Sequence, residues 1–440
     1  MGKYGSNPHS VRELVKADAV HRDVYTSEEV YKLEMKHLFR RAWIFVGHDS
    51  QVPDAGHFYT TQIGDQPIVM VRGADGQVHV LLNRCAHKGA KVVSAQAGRC
   101  DKFFSCPYHG WTYHLDGSNR AQPLARGYKN TKLMVTEAAN GMAKVSSTVN
   151  YRGFVFCRLS DDGPDFHDYF GESLTSIDNM VDRSPEGRLE VAGGVLRYDH
   201  NCNWKMFVEN LNDTMHPMVA HASSAGTAKA IWDELDDPGP PPMVIEQFVP
   251  FVAGYKFMDD MGVKIYPNGH SYTGVNVSIH SNYSPVEEYN RRMIAAYGEQ
   301  RAQAILGEVR HNTVYYPTLT IKGAIQAIRV ARPLAADRTV LESWTFRLVG
   351  APDELLERTL MYSRLINSPT SVVGHDDLHC YRAIQEGLAA DGNDWVSLHR
   401  GYDADVEQDI AGTYNGHNEV SMRGQFKAWR DIMTQSMGGG

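Results

Sequence analysis

From Ser27 to Trp43 the apolar residues Val30, Leu33, Met35, Leu38 and Phe39 recur at roughly helical spacing, and Ser27 followed by two glutamates has the form of a helix N-cap. One amphipathic helix is predicted there. Between Ile44 and about Leu159 the pattern shortens to β-rich runs: Pro67–Val71 and Val78–Leu82 joined across Gly73-Ala74-Asp75-Gly76, and Phe154–Leu159. These predict a small antiparallel β domain, followed by a Ser/Asp/Gly-rich loop around 160–175. Farther on, Asn203–His221 has few breakers before Pro217 and predicts a helix with a loosened end. Strands are expected at Ser271–His280, Val314–Lys322, Ala324–Ala331 and Val340–Leu348, and helices at Pro285–Leu306, Asp353–Leu365, Asp376–Leu388 and, in a polar tail, near Met422–Met433. An antiparallel sheet covered by helices, an α+β arrangement, accounts for this order.

The chain has 440 residues, enough for two domains with large cores. Hydrophobic residues at 42% and charged residues at 22% exclude disordered, collagen-like and coiled-coil classes. A net charge of −8 with no Lys/Arg run argues against nucleic acid as a partner. No secretory signal and no run of 18 apolar residues is found, so a cytoplasmic location without membrane association is expected. No G-x-G-x-x-G follows a strand, which gives no support to a doubly wound nucleotide site. The six cysteines are too sparse for a disulfide scaffold, which leaves thiols or metal ligands.

Histidines cluster with cysteine or carboxylate in three places, 85–109, 213–221 and 375–379. Cys85-Ala86-His87 and Cys106-Pro107-Tyr108-His109 form a C-x-H and C-x-x-H pair, each at the end of a β-rich run. Two thiolates and two imidazoles suit either tetrahedral zinc or a Rieske [2Fe–2S] cluster. Zinc knuckles usually pair cysteines two to four residues apart, whereas one Cys and one His from each loop fit two irons with different ligands.

Asn83-Arg84-Cys85-Ala86-His87-Lys88-Gly89-Ala90 and Cys106-Pro107-Tyr108-His109-Gly110-Trp111 resemble the cluster loops of the Rieske ring-hydroxylating oxygenase α subunits. Such an oxygenase needs a second site for dioxygen. His216 and His221 lie five residues apart with Pro217 between them, a break that lets both rings converge on one ion. With one carboxylate they would make the facial triad of non-heme Fe(II). The run Asn203-Trp204-Lys205, Glu209-Asn210, Asp213, His216, His221 is similar to the catalytic signature of the same family. By that resemblance Asp377, from Asp376-Asp377-Leu378-His379, is the third ligand, with Asp376, His375 and His379 as rival donors; an aspartate pair capping a helix N-terminus is the structural alternative.

Asp213, three residues before His216, would share its helical face and accept the proton of that ring's other nitrogen. The resemblance implies three segments: 1–43, helical and packed on the catalytic domain; 44–160, the Rieske domain; 161–440, a catalytic domain of helix-grip type. It further implies a homotrimer, with or without a small β subunit, in which Asp213 links His109 of a neighbouring copy to His216. Electrons would come from NAD(P)H through a separate reductase, perforce external, with or without a ferredoxin. The expected reaction is mono- or cis-dihydroxylation of an aromatic compound. An electron-transfer Rieske protein and a zinc-stabilised binding module are the alternatives, and neither accounts for both motifs. Phe207, Leu211, Met215 and Met218 are candidate pocket residues, although such a stripe is more often helix core. The stretch from Asn418 to Gln425 with Trp429 is similar to the tail of larger α subunits that act on aromatic acids and related arenes, and Arg329 and Arg332 are candidates for holding a carboxylate, although salt bridging is the commoner use of such residues.

Overall fold

The computed structural model describes residues 2–5, 8–131, 140–237, 239–280, 285–403 and 410–435. They group into two compact units, Phe39–Gly163 and, together, Met1–Leu38 with Pro164–Gly440. Among the described residues no helix is long and apolar enough to cross a membrane.

The Phe39–Gly163 unit is built on antiparallel sheets. Its four-stranded sheet runs in the order Val78–Leu82, Gln66–Arg72, His57–Ile63, Ala97–Arg99. The expected hairpin is its first pair, with Val69 opposite Leu81 and Gly76 at φ +78° in the turn. The same unit holds a three-stranded sheet of Phe103–Ser105, Thr112–His114 and Asn119–Ala121 and another of Ser147–Tyr151, Phe154–Arg158 and Ile44–His48. Phe58, Val69, Leu81, Phe104, Trp111 and Tyr113 form a core that includes Cys85 and Cys106. Burial of these apolar side chains holds the two cysteine loops at fixed positions.

The second unit centres on an eight-stranded antiparallel sheet. Its order is Leu189–His200, Arg338–Leu348, Ala327–Ala335, Leu319–Lys322, Thr313–Tyr315, Ser271–Thr273, Val263–Ile265, Gly412–Tyr414. Helices Trp204–Asn210, Val372–Gly387 and Val420–Thr434 belong to the same unit. A buried carboxylate ties three distant segments of it together: Glu34 accepts from Lys205 Nζ at 2.6 Å, Trp204 Nε1 at 3.0 Å and Trp429 Nε1 at 2.7 Å. Three donors satisfy a charge that would otherwise be costly to bury.

Several expectations are corrected. The single helix over 27–43 is two, Glu28–Lys36 capped by the Ser27 side chain and Leu38–Arg41, with the break at His37. The helix expected over 203–221 is Trp204–Asn210, a turn, and Pro217–Ala220, where proline stands at the first helical position and so begins a helix rather than loosening one. Ser271–His280 is a strand only as far as Thr273, and Val314–Lys322 divides into two strands. The helix of 285–306 is broken before Glu299 by Gly298 at φ +78°. The loop of 160–175 contains the helix Phe166–Phe170, and the twelve-residue edge strand Leu189–His200 had no counterpart in the sequence reading. The helix expected from Asp376 begins at Val372, capped by Ser371 Oγ on Gly374 N at 2.8 Å, so the aspartate pair is one turn inside and caps nothing.

Candidate metal centres and substrate pocket

The two cysteine loops have the same local form. Cys85 O accepts from Gly89 N at 3.0 Å and Cys106 O from Gly110 N at 3.1 Å, and both glycines have positive φ, +76° and +70°. Each loop thereby turns back on itself and carries its histidine at the turn. Both thiols are buried, His87 is half-buried and His109 exposed, and the two imidazole centroids lie 4.6 Å apart. His87 stacks on Trp111 at 5.0 Å, and its Nδ1 is buried with no hydrogen-bond partner among the described residues. Tyr113 Oη lies 3.0 Å from Cys85 Sγ. Burial opposes ionisation of that thiol, but hydrogen bonds from Tyr113, His87 and other neighbours outweigh it and lower its pKa. A thiol poised to ionise beside an unpartnered imidazole nitrogen fits a metal cluster.

In the other unit the ligand atoms of His216, His221 and Asp377 all lie within 4.8 Å of one another. The histidines flank the short helix Pro217–Ala220, and Asp377 comes from the helix Val372–Gly387. Asp377 Oδ1 is 3.6 Å from His216 Nε2 and 3.5 Å from His221 Nε2. Asn210 Nδ2 is 3.1 Å from His216 Nε2 and 3.3 Å from Asp377 Oδ1. The neighbouring aspartate takes the far edge of one ring, with Asp376 Oδ2 3.2 Å from His221 Nδ1 and from Ser224 Oγ. His375 and His379 are exposed and stand outside this group. Burial lowers the pKa of His216 although Asp377 and Asp213 oppose the shift, which favours the neutral imidazole that metal ligation requires. Two imidazoles and one carboxylate fit a single divalent iron.

Asp213 is not on a helical face shared with His216, because the intervening segment is a turn. Its Oδ1 accepts from the backbone N–H of Met215 at 2.7 Å and of His216 at 3.3 Å, and Arg400 Nη2 is 3.4 Å away. His216 Nδ1 is buried and has no hydrogen-bond partner among the described residues.

A cavity adjoins the triad. Of the four candidate pocket residues only Leu211 lines it; Phe207 lies beneath Arg329, 5.0 Å from its guanidinium, and Met215 and Met218 are not on the lining. Phe251, Met258, Met261, Ile279, Ile366 and Val373 supply the apolar wall instead. They come from separate helices and loops, so no periodicity along the chain marked them. Lys322, Arg329, His311 and Asn312 add polar groups. Burial pulls Lys322 well below the usual lysine range, Arg329 adds to the shift and Asp377 opposes it.

A β unit with paired Cys-His loops and a sheet-and-helix unit with a two-histidine, one-carboxylate cluster define an oxygenase-type iron protein. Comparison with known proteins gives the family. Residues 42–133 match the Rieske [2Fe-2S] domain and residues 189–435 the catalytic domain of the ring-hydroxylating α subunit. Toluate 1,2-dioxygenase subunit alpha of Pseudomonas putida is 32% identical over 84% of this chain and 79% of its own length. The anthranilate 1,2-dioxygenase large subunit of Acinetobacter baylyi is 30% identical over 87% of this chain and 80% of its own. A structure of naphthalene 1,2-dioxygenase with indole in its active site superposes with a TM-score of 0.76 at 22% identity, covering 96% of this chain and 94% of that one, a likeness of fold. The chain belongs to the Rieske ring-hydroxylating oxygenase α-subunit family, whose cofactors are a [2Fe–2S] cluster and a mononuclear iron.

Proposed function

We propose that this chain is the terminal oxygenase of a multicomponent system that hydroxylates an aromatic compound with electrons from NAD(P)H, delivered by a separate reductase with or without a ferredoxin. In this reading Cys85, His87, Cys106 and His109 hold the [2Fe–2S] cluster, and His216, His221 and Asp377 hold Fe(II). One observation carries it: two imidazole Nε2 atoms and one carboxylate converge beside a cavity whose wall includes Phe251, Met258, Met261 and Ile366. Bound there, iron supplies oxygen activation through the coordination positions that three protein ligands leave open. The chain's own residues do the rest. Asp376 fixes the orientation of His221, Asn210 spaces His216 from Asp377, and Met258, Met261 and Ile366 offer an apolar surface that excludes water around a flat ring.

The same reading includes a cytoplasmic homotrimer, with or without a small β subunit, in which Asp213 couples the centres of neighbouring copies. Within the chain, Asp213 holds the turn at Met215 and His216 through their backbone amides. Because relatives are a toluate and an anthranilate dioxygenase, aromatic acids are the first compounds to supply. Metal and sulfide analysis with an oxygen-uptake assay tests the proposal. About three irons and two acid-labile sulfides per chain, with uptake coupled to a hydroxylated product, are expected. Zinc without sulfide would overturn it.

A further inference from the structure

The cavity wall carries two cations, Lys322 and Arg329, that no carboxylate pairs with among the described residues. Strands Leu319–Lys322 and Ala327–Ala335 pair with Thr320 opposite Arg329 and Lys322 opposite Ala327. Side chains alternate between faces along a strand, and directly opposed residues share a face. Lys322, two positions from Thr320, therefore emerges on the same face as Arg329 as its diagonal neighbour, and both line the cavity beside the triad. Lys322 is 4% exposed, and among the described residues its ammonium has the Tyr362 hydroxyl at 2.9 Å as its hydrogen-bond partner. Arg329 packs over Phe207, and its Nε is buried with no partner among the described residues. Arg332, the other arginine of that strand, is paired with Glu342 at 3.2 Å.

Two carboxylates are found on the lining, and both are engaged elsewhere: Asp213 with the turn amides and Arg400, Asp377 with the two histidines. His311, also on the lining, has a buried Nδ1 without a partner among the described residues, and the His280 ring packs 4.8 Å from it. Lys322 and Arg329 thus sit together on the wall of a cavity whose lining mixes polar and apolar side chains. Burying such groups without counter-charge is costly unless a ligand supplies it.

We propose that Lys322 and Arg329 form an anion-recognition subsite and that the ligand is an aromatic carboxylate, its carboxylate against the two cations and its ring on the apolar wall toward the triad. A point-charge ammonium beside a planar guanidinium suits one carboxylate, and the apolar residues of the same lining offer a surface for the ring. This rests on the cavity being the substrate site of the oxygenase proposed above.

The test titrates the iron-replete enzyme calorimetrically with benzoate, 3-methylbenzoate and 2-aminobenzoate, each against its carboxamide, and measures oxygen uptake and product with the same compounds and with toluene, reductase supplied. Acids should bind more tightly than amides. Lys322→Met and Arg329→Met should each weaken acid binding about 10- to 100-fold and leave amide binding nearly as before, with the loss in KM greater than in kcat. Arg329→Lys, which keeps the charge, should retain most of the preference, and retained iron content and near-ultraviolet dichroism confirm folded variants. Acids that bind no better than amides, or a preference that survives both methionine variants, overturn the subsite even if toluene is hydroxylated. Lack of product from every compound overturns the oxygenase reading instead, while the calorimetric preference still decides the subsite.

Discussion

His221 stands between two consecutive aspartates, with Nδ1 3.2 Å from Asp376 and Nε2 3.5 Å from Asp377. The helix Val372–Gly387 thus addresses both edges of one imidazole, one carboxylate reaching the inner nitrogen and the other fixing the outer. Asp377→Ala should empty the mononuclear site and leave the visible spectrum of the cluster intact. Asp376→Ala should keep the iron but bind it about 10- to 100-fold more weakly, the usual effect of removing the group that orients a metal-bound histidine. Iron content of the two variants after dialysis against a graded chelator checks the assignment, and a reversed order means the aspartates are exchanged.

Asp213 bonds two backbone amides, which an asparagine side-chain oxygen can also do. Asp213→Asn should therefore retain fold, both metals and chemical reduction of the cluster, yet lose most product formation if the charge couples the centres. Asp213→Ala should in addition destabilise the turn by about 1 kcal/mol. Single-turnover cluster oxidation on mixing with substrate and oxygen is the deciding measurement: an unchanged rate in the asparagine variant removes Asp213 from the coupling role.

Tyr113 Oη lies 3.0 Å from Cys85 Sγ, where it would donate to a cluster-bound thiolate, and hydrogen bonds to cluster sulfurs favour the reduced, more negative state. Tyr113→Phe should lower the midpoint potential by about 40 mV, the one-electron equivalent of a bond worth about 1 kcal/mol. A spectroscopic redox titration reads this directly. An unshifted midpoint would mean that the hydroxyl does not act on the cluster.

Burial pushes Glu209 up to about 8 from the ordinary 4.5. Between those values the folded protein keeps a proton that the unfolded chain has released, so this group's contribution to stability is fully present below the lower value and is lost as pH rises through the upper one. Glu209→Gln lacks that loss. Its urea midpoint relative to the parent should rise from about pH 5 to about pH 8 and then level off, and a constant difference would show that Glu209 is ionised throughout.

The sequence carried the chemistry better than the geometry. Cys85, His87, Cys106 and His109 were legible because their spacing is local to two loops, and the hairpin of Gln66–Arg72 with Val78–Leu82 because alternation and turn glycines are local as well. His216 and His221 were visible for the same reason. That Pro217 begins a helix is not legible in the sequence, because the turn before it, held by Asp213, depends on a carboxylate that bonds backbone and not a ring. The start of the helix bearing Asp377 was placed late because Val372 and Val373 continue an irregular run and the capping Ser371 carries little weight alone. Lys322 was missed altogether. Its meaning lies in a cross-strand diagonal to Arg329, and register is set by pairing that no single segment encodes.

Glu34 gathers its donors from positions 204, 205 and 429. A ribosome makes these segments in order, so the nascent chain carries the carboxylate and both partners on the histidine-bearing stretch long before the last indole exists. Until residue 429 has emerged, the helix that leads into the iron ligands lacks its final clamp. The clamp therefore closes late in synthesis, as a contact between residues far apart along the chain.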